Sequence, residues 1–105
     1  MKIARLRKPG GLSAVEIADA PEPGAPGPGE ILVRVRAASL NYHDLLVVLG
    51  RIPTEDGRIL LSDGAGEVVA VGPGVGEFSE GDAVISTFYP RWPDGPPASL
   101  TICSA

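Results

Sequence analysis

Four consecutive polar residues, Asn41, Tyr42, His43 and Asp44, bring together an amide, a phenol, an imidazole and a carboxylate. His43 is the only histidine in the chain. If a helix begins here, its free backbone N–H groups and the positive end of its dipole favour an anion such as a cofactor phosphate. The same residues fit a structural role, with Asn41 capping the helix and Asp44 in its first turn. On these residues alone the structural interpretation is the stronger one.

The sequence lacks the spacing typical of a zinc site, a hydrolase serine or a dinucleotide-binding loop. Zinc sites need three or four protein ligands, and beside carboxylates the chain offers His43 and Cys103, without a CxxC or HxxxH pair. No serine lies in a G-x-S-x-G elbow. The glycine-rich segment 64–76 lacks the G-x-G-x-x-G spacing of a dinucleotide-binding loop, so its glycines are interpreted as turn residues. The residues predict neither a zinc site nor a hydrolase.

Composition is that of an ordinary globular domain, with 44% hydrophobic and 21% charged residues among 105. A net charge of −4, with scattered Lys and Arg, argues against nucleic acid or an anionic membrane surface as a partner. No apolar run reaches the ~18 residues of a membrane span, and no signal-peptide core is present. One cysteine forms no internal disulfide, which favours a cytoplasmic protein.

Short strands separated by turns must position the polar residues. Apolar and basic side chains alternate over 30–40, which predicts a strand with one buried face just before Asn41. Helical spacing follows and predicts a short, mostly enclosed helix at about 42–49, closed by Gly50. Further strands are expected at 2–7, 13–19, 68–71 and 83–87, and Asp-Gly turns at 56–57, 63–64 and 94–95. This pattern predicts a mainly β barrel or sandwich.

Two blocks of sequence carry a family resemblance. PGPGEILVRVRAASLNYHDLL is followed by LSDGAGEVVAVGPGVGEFSEGDAV, whose Gly-x-Val-x-x-Val-Gly pattern leads to Gly81 and Asp82. In order and spacing, these blocks resemble the N-terminal GroES-like catalytic domain of medium-chain dehydrogenases/reductases. The resemblance implies a mainly β, partly open barrel with one short helix and long turns. It covers residues 1–98 and leaves 99–105 as an off-pattern tail.

The resemblance also implies a type of chemistry. Zinc-dependent members carry a cysteine at the position of Asn41 and a His-Glu pair at Ser62 and Asp63, so the chain is expected to bind no zinc. In having Asn at position 41, the chain resembles the zinc-free, quinone-oxidoreductase-like branch of the family. That branch moves a hydride from a nicotinamide cofactor, usually NADPH, to a quinone or activated alkene. Aldehydes and alcohols are alternative substrates that the resemblance also allows.

Carried over by position, the resemblance assigns Asn41, His43 and Asp44 as catalytic residues. Asn41 would lie near the nicotinamide and the reacting carbonyl, His43 would relay a proton, and Asp44 would order the site. Asn41, Tyr42 and His43 would bind the cofactor, with Tyr42 near its pyrophosphate. Ser62 and Asp63 would line the substrate cleft.

The Rossmann domain that binds the cofactor in this family has no counterpart in these 105 residues. We therefore expect NADP or NAD to bind only beside such a domain, and the isolated, truncated chain to be inactive. The expected partners are a small-molecule substrate and the missing Rossmann domain. A homodimer is a further possible assembly. Two alternatives are a non-catalytic GroES-like interaction module, similar to a co-chaperonin, and a degenerate fragment.

Overall fold

A computed structural model describes residues 1–89, and most of its regular structure is β-strand. The strands in this part of the chain are β1 (Lys2–Leu6), β2 (Val15–Asp19), β3 (Ile31–Ser39), β4 (Arg58–Ile59), β5 (Asp63–Val71) and β6 (Ala83–Ile85). One α-helix, α1 (Tyr42–Val48), follows β3, and a short 3-10 helix covers Leu12–Ala14. The predicted mainly β class with one short α-helix is confirmed. The predictions for 94–95, Cys103 and the tail 99–105 lie outside the described residues.

The strands form two antiparallel sheets of three strands each, ordered β2-β1-β4 and β3-β5-β6. We call the first sheet A and the second sheet B. Neither closes on itself within the described residues, which confirms the expectation of a partly open barrel. No helix within residues 1–89 is long and apolar enough to cross a membrane.

Sheet B brings the two parts of the polar site together. The end of β3 pairs with the start of β5, so that Ser39 lies opposite Asp63. The pairing needs glycine at Gly66, because a Cβ there would stand 2.3 Å from the carbonyl oxygen of Arg34. Two register shifts in β3 accompany this close approach. Residues 22 positions apart in sequence therefore meet at one end of the sheet.

The predicted turn at 63–64 is wrong. Asp63 and Gly64 are the first residues of β5 and pair with Ser39 and Ala38 of β3. Gly66 also lies inside this strand and is not a turn residue, because the lack of a side chain serves close strand packing there. By contrast, the predicted turn at 56–57 is confirmed, with Gly57 at a φ of 80°.

The core explains why the helix is only half enclosed. Leu6 of β1 packs with Val47 and Val48 of α1, and the partly buried residues Ala14, Ile52 and Leu60 surround them. The opposite side of α1 is open, with Leu45 41% and Leu49 42% exposed. The expectation of a mostly enclosed helix is therefore wrong, because sheet A covers one side of α1 and no described residue buries the other. Val35 of β3 is likewise exposed, against the prediction of a buried face.

Candidate active site

The start of α1 is fixed by a carboxylate. Asn41 is the N-cap in extended conformation, and its backbone N–H donates to Oδ2 of Asp44 at 2.8 Å. The backbone N–H of Asp44 donates in return to the carbonyl oxygen of Asn41 at 3.0 Å. Asp44 is only 5% exposed, and its Oδ1 accepts a hydrogen bond of 3.4 Å from the hydroxyl of Ser62. Asp44 thus ties the first turn of the helix to the segment before β5.

The side chain of Asn41 makes a second connection to the same segment. Its Nδ2 donates to Oδ2 of Asp63 at 2.7 Å. A carboxylate only accepts hydrogen bonds, so this contact fixes the amide with its NH₂ group toward Asp63. Asn41, Asp44, Ser62 and Asp63 therefore form one connected group, which we call the polar cluster.

His43 takes no part in the hydrogen bonds of the polar cluster. Its ring lies against Phe88, with ring centroids 5.2 Å apart and ring planes at 86°. Its Nδ1 is buried and has no hydrogen-bond partner among residues 1–89. Phe88 in turn contacts Tyr89 at 4.7 Å and 76°. Tyr42 is 71% exposed, so the two residues expected to share the cofactor with Asn41 lie in different surroundings.

Ser86, just after β6, is a site residue that sequence reasoning missed. Its hydroxyl accepts from the backbone N–H of Gly64 at 2.9 Å and donates to the carbonyl oxygen of Ser62 at 3.3 Å. Its own N–H donates to the carbonyl oxygen of Gly64 at 2.8 Å. Ser86 thereby holds the backbone that carries Ser62 and Asp63. Nothing in the spacing of the chain's serines distinguishes it.

A shallow depression of about 350 Å³ adjoins the polar cluster. Asp63 and Ser86 stand on its wall, and the rest of the lining is mostly small: Ala37, Ala38, Ser39, Gly64, Ala65 and Ile85. The small side chains leave room for a flat or branched molecule beside the Asp63 carboxylate.

The donor set of the polar cluster suits zinc poorly. Zinc prefers cysteine sulfur and histidine nitrogen, with carboxylates as additional ligands. Over residues 1–89, no three His, Cys, Asp or Glu side chains are grouped as metal ligands. The position beside Asp63 presents an amide N–H, which is a hydrogen-bond donor and carries no lone pair for a metal.

Residues 27–99 match the model of the alcohol dehydrogenase GroES-like domain family. The chain belongs to this family. Its fold is similar to the Escherichia coli quinone oxidoreductase in complex with NADPH, with 28% identity and a TM-score of 0.73. It is also similar to a cobalt- and zinc-bound thermostable alcohol dehydrogenase from Pyrobaculum aerophilum, with 38% identity and a TM-score of 0.72. Each of these matches covers 81% of this chain and 26% of the other.

In sequence, the GroES-like domain is 48% identical over 81 residues to a mycocerosic acid synthase-like polyketide synthase of Mycolicibacterium smegmatis. That match covers 75% of this chain and 4% of the synthase. The chain thus spans a small part of the proteins it matches. The expected relation to medium-chain dehydrogenases/reductases is confirmed, and these oxidoreductase neighbours do not favour the interaction-module alternative.

Proposed function

We propose that this GroES-like domain, over residues 1–98, is the catalytic-domain part of a zinc-independent, NAD(P)-dependent oxidoreductase. Its reaction transfers a hydride to or from a quinone, enone, aldehyde or alcohol. The hydrogen bond of 2.7 Å between Asn41 and Asp63 is the observation that carries the proposal. By the family resemblance, this hydrogen-bonded amide and carboxylate correspond to positions of metal ligands in zinc-dependent members.

The cofactor, NADPH or NADH, supplies or accepts the hydride when it is bound. Asn41, Tyr42 and His43 are the residues that would hold it, and the exposed ring of Tyr42 is accessible to a large ligand. Within residues 1–89, the buried Nδ1 of His43 forms no hydrogen bond with the polar cluster or any other group. Beside them, the exposed leucines Leu40, Leu45 and Leu49 are suited to burial against a cofactor-binding domain. We therefore propose that the cofactor binds only when such a domain is joined to this one.

Hydrogen-bond donors must polarise the reacting oxygen if no metal does so. The amide of Asn41 has two N–H groups, and the contact with Asp63 uses one of them. The second is then oriented by the first and is the group proposed to donate to the substrate oxygen. His43 is proposed for the protonic role, and Asp44 keeps Asn41 and His43 at the start of the helix. Ser62 and Asp63 are proposed to line the cleft on the substrate side, and Asp63 lies on the wall of the depression beside the polar cluster.

The test joins this chain to the cofactor-binding region of the Escherichia coli quinone oxidoreductase and follows NADPH oxidation with a quinone and an enone. We expect turnover in the fusion and none in the 105-residue chain alone. Asn41→Ala in the fusion should lower kcat by about 10²-fold, as losing one donor to a developing oxyanion does. Ser79→Ala is the control, because Ser79 lies outside the polar cluster, in the turn before β6.

Two outcomes would count against the proposal. Micromolar binding of NADPH to the 105-residue chain by calorimetry would contradict the need for a second domain. A folded fusion that binds NADPH, but neither oxidises it with a quinone, enone or aldehyde nor reduces NADP⁺ with an alcohol, would refute the activity.

A second candidate places the same domain within a polyketide synthase. The 48% identity over 81 residues to a polyketide synthase favours it over the lower identities to the two solved oxidoreductases. An enone thioester would then be a better substrate of the fusion than a quinone. Comparing kcat/KM for these two substrates separates the candidates.

A further inference from the structure

His43 and Phe88 form a contact that the proposed function does not explain. The two rings are perpendicular, at 86°, and Phe88 is itself packed against Tyr89 at 4.7 Å. Perpendicular packing is a favoured arrangement for aromatic rings, and each ring here is partly buried. The side of the imidazole that carries Nδ1 has no solvent contact. The ring of His43 therefore packs against an aromatic neighbour, and no residue within 1–89 forms a hydrogen bond with its Nδ1.

Hydrogen bonding determines which ring nitrogen carries the proton of a neutral histidine. In enzymes, a carboxylate commonly accepts the N–H of one nitrogen and thereby fixes the other as an acceptor. Here the carboxylates of the polar cluster have other partners. Asp44 accepts from Asn41 and Ser62, and Asp63 accepts from Asn41. Within the described part of the chain, no acceptor is in place for a proton on Nδ1.

A neutral imidazole has one N–H donor and one lone-pair acceptor. A buried N–H without an acceptor is rarer in proteins than a buried acceptor with a vacant lone pair. The buried Nδ1 should therefore carry the lone pair, and Nε2 the proton. We propose that Phe88 is a positioning residue that holds His43 in this tautomer, so that the neutral ring donates a hydrogen bond through Nε2.

This proposal rests on the proposed function for its catalytic meaning and narrows the role of His43. A proton relay needs both nitrogens of the ring to exchange protons with their surroundings. Phe88 and the buried position of Nδ1 close one end of such a relay. Within the proposed protonic role, His43 then acts through Nε2 alone, as a second hydrogen-bond donor beside Asn41 to the reacting oxygen.

Nitrogen-15 NMR of the 105-residue chain tests the tautomer directly. Since His43 is the only histidine, its two ring nitrogens give the only imidazole signals. The spectrum is recorded at a pH of about 8, where an ordinary histidine is neutral. We expect a pyridine-type signal for Nδ1 and a pyrrole-type signal for Nε2. A pyrrole-type Nδ1 would overturn the proposal.

Variants of Phe88 test its part in this arrangement. Phe88→Ala opens Nδ1 to water, so both ring signals should move toward the average of the two tautomers. Phe88→Tyr, which keeps the ring, should restore the wild-type signals. Phe78→Ala is the matched control, because Phe78 is the other of the two phenylalanines and makes no ring contact among residues 1–89. Signals that are unchanged in a folded Phe88→Ala chain would refute the role of Phe88.

A second variant keeps the test decisive if Phe88→Ala fails to fold. Phe88→Leu preserves most of the side-chain volume but removes the aromatic ring, and it should shift the ring signals in the same direction. These spectra need neither cofactor nor substrate. An inactive fusion would thus refute the proposed function and leave the tautomer result standing, and a pyrrole-type Nδ1 in an active fusion would do the reverse.

Discussion

Sheet A and the polar cluster use their carboxylates in opposite ways. On sheet A, Glu16 accepts hydrogen bonds from Arg5 and Arg7, and Asp56 accepts from Arg7 and from the backbone N–H of Lys8. In the polar cluster, the partners of the carboxylates are amide and hydroxyl groups without charge. None of the ion pairs over residues 1–89 includes Asp44 or Asp63.

The difference indicates which group of charges is available for chemistry. Glu16 and Asp56 are each paired with an arginine, and these ion pairs connect β1, β2 and the turn before β4. The carboxylates of the polar cluster have no cationic partner within residues 1–89 and orient neutral donors, as the proposed polarisation of a substrate oxygen requires. Burial separates the two regions further, because Asp44 is buried whereas Glu16 and Asp56 are exposed or nearly so.

The largest effect on stability is expected from Asp44→Ala. The substitution removes the acceptor for the Asn41 N–H and the Ser62 hydroxyl inside a buried site, so the free energy of unfolding should fall by about 2–4 kcal/mol. Urea unfolding measures it. Asp82→Ala is the matched control, since Asp82 also accepts a backbone N–H, from Ser79 at 2.9 Å, but is exposed. Asp82→Ala should lower the free energy of unfolding by less than about 1 kcal/mol. Equal decreases for the two variants would contradict the assigned role of Asp44.

Asn41→Asp should lower the free energy of unfolding by less than Asp44→Ala does, and the decrease should depend on pH. The new carboxylate would face Oδ2 of Asp63, 2.7 Å from the present Nδ2, and the free energy of unfolding at pH 7 should fall by about 1–2 kcal/mol. Two carboxylates in contact raise the pKa of one of them in the folded state. The difference in free energy of unfolding between Asn41→Asp and the wild type should therefore become smaller as pH falls and that carboxyl takes up a proton. Asn41→Ala, measured alongside, should show a loss that does not change between pH 5 and 7.

Glu16→Gln should change stability less than either substitution in the polar cluster. The side chain is exposed and its ion pairs are screened, so the shift in the urea midpoint should be small and should shrink further in 1 M salt. Glu77→Gln is the control, because Glu77 is exposed and has no hydrogen bond or ion pair within residues 1–89. If Glu16→Gln shifted the urea midpoint as much as Asp44→Ala does, and equally at all salt concentrations, the proposed difference between sheet A and the polar cluster would be contradicted.

The smallest effect is on acid stability. Hydrogen bonds from Arg5 and Arg7 lower the pKa of Glu16, and the backbone N–H of Lys8, together with Arg7, lowers the pKa of Asp56. Carboxyls with lowered folded pKa values stabilise the fold above their unfolded pKa of about 4. This contribution is lost as pH falls through the lower, folded values. Glu16→Gln combined with Asp56→Asn should flatten the stability curve below pH 4, whereas Glu77→Gln should leave it unchanged.

Local pattern was sufficient to predict the main elements around the site. Alternation predicted β3, and the change of period with Asn41 as a cap predicted α1, since both signals lie within a few adjacent residues. The two-residue strand β4 was missed because it is too short to show any period. The segment 63–64 was taken as a turn because Asp-Gly is a strong local signal, which pairing with β3 overrides.

The chemistry of the site was harder to predict, because it depends on contacts distant in sequence. The resemblance brought Asn41, Asp44, Ser62 and Asp63 to one site, and their hydrogen bonds were visible only once β3 and β5 were paired. Phe88 lies 45 residues beyond His43, and no spacing links the two. The exposed leucines of α1 were expected to be buried because helical periodicity shows an apolar face and not what covers it.

Zinc content and the response to chelation decide whether the polar cluster works without a metal. The fusion of this chain with a cofactor-binding region is purified, its zinc is measured, and kcat is compared before and after treatment with a chelator. We predict close to no zinc per chain and an unchanged kcat. One zinc per chain, with activity that is lost on chelation and restored by added zinc, would contradict the proposal that Asn41 and Asp63 replace a metal site.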